Sequence, residues 1–468
     1  MAVDPLSTVR KLRHAASVLV LFTLCACGQS SSLADDVSDD STVADESALL
    51  RLTHPDPGFQ LGALERIDRE WQDNFTPAML EYISLSPSPT LQKRGLDILR
   101  KRTGQDFGFD LNTWFAWVWM QQFELPPDYP EFKSRLYRRI DVRFGDYFSR
   151  LRSSTIRLDE VRWGGVLQDG IPPLRNPDMI PAGDADYLED DNIVFGIEVD
   201  GDVRAYPKRI LAWHEMFVDT VGAVPVVGVY CTLCGSMILY ESAVDGVQHE
   251  MGTSGFLYRS NKLMFDQATY SLWNTMWGTP AIGPLVGQDI RLPRRSVVTT
   301  TWGEWRRRHP ETTVLSLNTG FRRDYGEGVA YQEYFATDEL MFNSSQVDNR
   351  LPNKAEVLGL VFSDSGEPPL AISASYANEN PIIHERIGDR DFVVITDGSG
   401  AMRVYESGGR QFVDWDRDVS LRDSNGQRWT VHEDRLQSED GAILQRLPSH
   451  NAFWFGWFGA YTNTRLLH

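Results

Sequence analysis

From about Ile156 onward the chain is written in short apolar runs broken by glycine, proline or aspartate, and this texture restricts the fold more than any other feature. The runs fall at 192–198, 224–230, 236–240, 392–395, 402–405 and 428–431, each with the length and alternation of a strand. Asp200-Gly201 and Asp245-Gly246 sit between runs, as two-residue hairpin turns do. Helical patterns are sparse here, at 210–218 and 302–308. Regular strand–helix alternation and a glycine-rich phosphate loop are both missing from the sequence, which argues against a doubly wound sheet and against a nucleotide cofactor. The expectation is an α+β chain in which 156–468 is a mainly antiparallel β domain.

The preceding stretch, 49–155, reads as short helices. Thr76 is placed to cap one of them, with Pro77 at its first helical position. Ser86-Pro87-Ser88-Pro89 breaks that helix, the next ends near Gly104, and Asp110 caps another that carries Trp114, Trp117 and Trp119. Short helices parted by Pro and Gly resemble a HEAT-like repeat; an irregular bundle packed on the β domain fits equally.

The N-terminus carries an address. Arg10, Lys11, Arg13 and His14 precede an apolar run over 15–26 that is too short to span a bilayer comfortably. It ends in Leu24-Cys25-Ala26-Cys27, followed by Gly28, which resembles a bacterial lipobox. On that reading 1–27 is a lipoprotein signal peptide, Cys27 carries the lipid, and 28–48 is a solvated tether rich in Ser, Asp and Ala. The expected place is outside the cytosol, in the periplasm or at the cell surface, with the membrane as partner through the lipid. A net charge of -19, from 46 basic and 65 acidic residues, repels phosphate backbones and argues against nucleic acid.

Of the four cysteines, the lipobox disposes of Cys25 and Cys27, leaving Cys231 and Cys234 for chemistry. A single pair in an exported chain is no disulfide framework. In thioredoxin-like sites Cys-x-x-Cys opens a helix whose N-terminus lowers the thiol pKa. Here strand-like runs lie on both sides of Tyr230-Cys231-Thr232-Leu233-Cys234-Gly235, a knuckle that aims two sulfurs at one metal. Two thiolates do not close a tetrahedral site. His214 is the first choice for a third ligand, with Met264, His249 and His450 as weaker choices, and soft sulfur plus imidazole suits copper or zinc. A redox-active disulfide and a structural bridge remain the other readings of the pair. Ser254, Arg259, Asn261 and Asp266 set polar groups among apolar neighbours, as a substrate pocket does and as a buried hydrogen-bond network also does. The run 453–458 reads as a buried strand.

Several motifs occur together in fixed order: Asp169-Gly170-Ile171-Pro172-Pro173-Leu174, Leu211-Ala212-Trp213-His214-Glu215, the Cys-x-x-Cys, and Thr253-Ser254-Gly255-Phe256-Leu257-Tyr258-Arg259-Ser260-Asn261. Met264-Phe265-Asp266, Ser271-Leu272-Trp273, Gly283-Pro284-Leu285 and His450-Asn451-Ala452-Phe453-Trp454 follow. Over roughly 157–468 the chain resembles the bacterial family known as domain of unknown function 3179, which often has proline where Thr232 stands. The resemblance implies no activity. It implies that the cysteine pair, His214 and the 254–266 segment share one domain. The function expected is an envelope lipoprotein with a Cys-x-x-Cys/His metal or redox site; the alternatives are a thiol–disulfide oxidoreductase and a non-catalytic envelope adaptor.

Overall fold

The computed structural model describes residues 46–468. The stretch read as signal peptide and lipobox, with Cys25 and Cys27, and nearly all of the expected tether lie outside the described residues.

Among the described residues six α-helices come first: α1 (Ala48–Arg51), α2 (Pro57–Arg69), α3 (Thr76–Leu85), α4 (Pro89–Thr103), α5 (Leu111–Gln121) and α6 (Tyr129–Arg138). Their ends follow local chemistry. Asp110 accepts the Thr113 amide at 3.1 Å to cap α5, and Gly104 closes α4 at a φ of 72°. Thr76 is not the cap its position suggested. A 3₁₀ turn over Asp73–Phe75 runs straight into α3, Thr76 becomes the first helical residue, and its hydroxyl is buried without a protein partner.

After three short strands at Val161–Trp163, Leu174–Arg175 and Met179–Pro181, the β part continues with the hairpin of β1 (Ile193–Val199) and β2 (Asp202–Pro207), turned by Asp200 and Gly201, both at positive φ. Helix α7 (Lys208–His214) leads to the antiparallel strands β3 (Met216–Val221), β4 (Val224–Cys231) and β5 (Ser236–Glu241). The helix expected over 210–218 is cut short because Glu215 takes a φ of 55°, and Met216, Phe217 and Val218 are buried as strand instead. Next come β6 (Met251–Tyr258), β7 (Asn261–Asp266), β8 (Leu272–Asn274) and β9 (Thr279–Ile282), which with Val161–Trp163 at the β6 edge make a five-strand antiparallel sheet. The chain then returns: β10 (Val298–Thr301) pairs antiparallel with β1, helix α8 (Trp302–Arg308) follows, and β11 (Thr313–Leu315) lies parallel to β2.

After the short helix α9 (Gln332–Phe335) the same plan recurs. β12 (Glu356–Leu360) and β13 (Leu370–Ser373) pair antiparallel and lead into α10 (Ala374–Glu379). β14 (Ile382–Ile387), β15 (Arg390–Thr396) and β16 (Met402–Glu406) form a three-strand antiparallel sheet, in the place that β3–β5 hold within a five-strand sheet of the first half. A five-strand meander over 412–445 is inserted before β17 (His450–Phe453), which pairs antiparallel with β12. Helix α11 (Trp454–Ala460) follows, and β18 (Arg465–Leu467) lies parallel to β13. The 453–458 run is therefore mostly helix rather than strand: Trp454 and Trp457, one turn apart on one face, are both fully buried.

The correspondence between the halves reaches side chains. Gly196 in β1 lies under the Trp305 ring and Gly359 in β12 under the Trp457 ring, so closely that a Cβ at either would overlap it. The Trp305 indole donates to Thr312 Oγ1 at 3.1 Å, and the Trp457 indole donates to Thr464 Oγ1 at 2.9 Å. The N-terminal helices do not stand apart. Trp114, Trp119, Tyr137 and Phe144 pack into one core with Phe256, Leu263, Phe265 and Ile282 of the β6–β9 sheet. Within it Glu81 of α3 accepts from Lys133, Tyr129 and Tyr137 of α6, all buried.

Candidate functional site

Cys231 closes β4 opposite Ser236, and the intervening turn brings Cys234 back so that the two sulfurs are joined as a disulfide. Gly235 completes the turn at a φ of 59°, where a Cβ would meet the Phe453 ring. Strand β5, not a helix, follows Cys234, so the thioredoxin-type device of a helix N-terminus over the thiol is missing at this turn. Cys231 is 3% exposed and Cys234 fully buried. Their cover is Leu233 and Leu257 with Tyr331, Tyr334, Phe335 and Phe342, all four aromatics drawn from one segment. Tyr334 ties that segment down by donating to Leu233 O at 2.8 Å, and Ser260 Oγ donates to Phe342 O at 2.5 Å. Cys234 Sγ lies 3.3 Å from Ser260 O, where a free thiol would donate.

Beneath the turn sits a buried ion pair. Lys262 Nζ of β7 donates to Glu215 Oε2 at 2.6 Å, Thr232 Oγ1 donates to Glu215 Oε1 at 3.1 Å, and Tyr331 reaches the same oxygen at 3.5 Å. Burial pulls the Lys262 ammonium below its usual pKa while Glu215 pulls it back up. Burial, then Glu215, pushes the Tyr331 phenol up, so it stays a donor. Glu215 holds this place from a left-handed backbone position that costs a non-glycine residue about 1 kcal/mol or more.

His214 is fully buried and both ring nitrogens have partners. Nδ1 lies 2.9 Å from Pro172 O, an acceptor only, so Nδ1 carries the proton and Nε2 accepts from the Tyr325 hydroxyl at 2.6 Å. Tyr325 in turn takes the Thr319 hydroxyl proton, 2.6 Å away. Burial lowers the His214 pKa, which suits the neutral ring. His249 Nδ1 bonds Asp266 Oδ2 at 2.8 Å, and Met264 packs with Val229 and Trp273 in a core cluster separate from that of the cysteines. His450 is buried against Trp457, its Nε2 has no protein partner, and burial drives its pKa well down. Among the described residues no three His, Cys, Asp or Glu side chains gather as a metal-binding group.

The polar set at 254–266 is taken up by backbone and side-chain partners within the fold. Ser254 Oγ donates to Leu263 O at 2.6 Å and accepts from Phe256 N at 3.0 Å, fixing the β6 bulge. Arg259 pairs with Glu160 at 2.5 Å, and Asn261 Nδ2 donates to Gly456 O at 3.0 Å. Asp266 Oδ1 accepts the Ala268 and Thr269 amides, both at 2.9 Å.

Glu215, Lys262, Tyr331 and Tyr334 are the site residues that sequence reasoning missed. A lysine inside the apolar Asn261–Asp266 run was the one signal for the pair, and nothing local marked the covering tyrosines. Among the described residues no helix is long and apolar enough to cross a membrane. A family model described as a protein of unknown function, DUF3179, matches residues 168–464. No curated protein and no solved structure matches the chain.

Proposed function

The chain belongs to the DUF3179 family of proteins of unknown function, and from that premise we propose an envelope-anchored thiol–disulfide protein in which the Cys231–Cys234 bridge is reversibly reduced. A partner dithiol is the reductant. Its thiolate attacks Cys231, the S–S bond breaks, and Cys234 leaves as a thiolate and takes a proton. The partner's second thiol then displaces Cys231, so the partner departs as a disulfide and this chain as a dithiol, with two electrons and two protons transferred. Cys231 is the sulfur attacked because it retains the only exposure in the pair.

The observation that carries this reading is the link from the turn to Glu215 and Lys262 through Thr232. A bridge that only staples needs no buried acid–base pair one residue away, whereas a bridge that gains and loses protons out of water does. The left-handed Glu215 supports it, since strain kept at such a place is usual at working sites. The anchor is Cys27, as the sequence leads one to expect, which sets the pair where thiols are open to oxidation.

Equilibration in dithiol buffers of graded potential, followed by alkylation and mass measurement of native protein, tests the reading. A two-electron transition within reach of a dithiol supports it. A bridge that reduces only after denaturation is a staple, and the proposal then fails. Loading the reduced protein with zinc or copper and assaying bound metal separates it from the metal-centre reading. A Cys27→Ser variant that leaves the membrane fraction supports the anchor; one that stays removes it.

A further inference from the structure

Two halves built on one plan can differ where a ligand touches them. A cleft of about 200 Å³ opens between them, walled by β1, α7, β4 and β10 on one side and by β12, α10 and β17 on the other. Ile193 pairs with Thr301 and Glu356 with Phe453 at the ends of corresponding strands, so Ile193 and Glu356 hold equivalent places. Lys208 follows Pro207, the partner of Val194, and Ala374 follows Ser373, the partner of Val357, so these two also correspond. All four line the cleft.

At the first place one half is apolar and the other anionic; at the second one half is cationic and the other apolar. The difference puts one carboxylate and one ammonium on the walls of a single cleft. They do not neutralise each other. Among the described residues neither Lys208 nor Glu356 has an ion-pair partner, and the Lys208 ammonium lies 4.7 Å from the Phe335 ring centre. A third polar group belongs to Tyr230, a cleft-lining residue buried to 1% exposure whose hydroxyl has no protein partner. A buried hydroxyl left unpaired is costly unless something bonds to it. The volume is below the roughly 300–1,000 Å³ usual for drug-sized ligands.

We propose that this cleft binds a small zwitterion of the α-amino-acid type, its carboxylate to Lys208 and its ammonium to Glu356, with the Tyr230 hydroxyl completing the polar set. The cysteines do not line the cleft, so the proposal stands or falls apart from the redox reading.

Calorimetric titration of the full mature chain with glycine, L-alanine, L-serine and L-glutamine tests it. N-acetyl amino acids, amino-acid amides and glucose serve as comparison probes. Saturable binding of at least one free amino acid is expected, weakened about ten- to a hundredfold by blocking either end. Lys208→Ala and Glu356→Ile install the residue that the other half carries. Lys208→Ala should abolish the penalty for amidation and Glu356→Ile the penalty for acetylation, while Tyr230→Phe weakens all probes. The proposal is overturned if no free amino acid binds saturably, if blocked forms or glucose bind as well, or if both charge variants match the parent.

Discussion

Burying Lys262 strips the water from its ammonium, and the Glu215 carboxylate at 2.6 Å is what replaces it. Taking away one member leaves an uncompensated charge in the core, so Lys262→Met should lower unfolding free energy by about 3–5 kcal/mol in urea titrations. Glu215→Leu added to it should recover part of that loss, because two apolar groups replace two charges; no recovery would mean the pair is not the coupled unit drawn here. His214 and His450 act with the opposite logic. Both are held neutral by burial, His214 facing Pro172 O, Tyr325 and Arg323, and His450 facing Arg294. The unfolded chain takes up protons near pH 6.5 that the folded chain refuses. Stability should therefore be full above about pH 7 and fall as pH drops through 6.5, seen as a falling Tm between pH 7 and 5. His214 also shows how far sequence reaches at this scale. Its closeness in sequence to the cysteines made it a ligand choice, yet the groups that set its tautomer, Pro172 and Tyr325, lie 42 and 111 residues away.

Reduction of the bridge requires the segment over 331–343 to lift, since its aromatic side chains cover both sulfurs. Tyr334→Phe keeps the ring and removes its bond to Leu233 O, worth about 1 kcal/mol, so native reduction by a phosphine should speed by about fivefold. An unchanged rate would place the access route elsewhere. From the other side α11 presses on the turn: a Cβ at Gly456 would come within 2.9 Å of Cys234 Cβ. Gly456→Val should then cost about 1–3 kcal/mol by overpacking, measured by denaturation, whereas Gly62, exposed on α2 with open space at its Cβ position, lacks that constraint. Element type was legible wherever periodicity ran long enough. The hairpins at Asp200-Gly201 and Asp245-Gly246, the Asp110 cap and the helix at Trp302–Arg308 all follow from local chemistry. The errors sit where packing overrides it: Glu215 ends α7 for the sake of its contacts, and two core tryptophans turn an apolar run into α11.

At the scale of the molecule, the division of texture near Ile156 is real in secondary structure, but the core crosses it. A chain beginning at Arg157 would expose Phe256, Phe265, Leu263 and Ile282, each worth about 1.5–3 kcal/mol when buried. That loss rivals the whole stability of an ordinary domain, so the truncated chain should show no cooperative melt by calorimetry; a sharp transition would show a self-sufficient β part. The doubled plan itself was invisible in the sequence. What the halves share is a topology and a few placed residues, such as Gly196 with Gly359 and Trp305 with Trp457, separated by the five-strand insertion. The doubling has a kinetic side as well. Each closing strand meets two acceptors of the same shape during folding, β10 finding β12 as well as β1, and β17 finding β1 as well as β12. Such exchanges can also join two chains, so refolding yield should fall as protein concentration rises, with dimers of swapped halves as the trapped species.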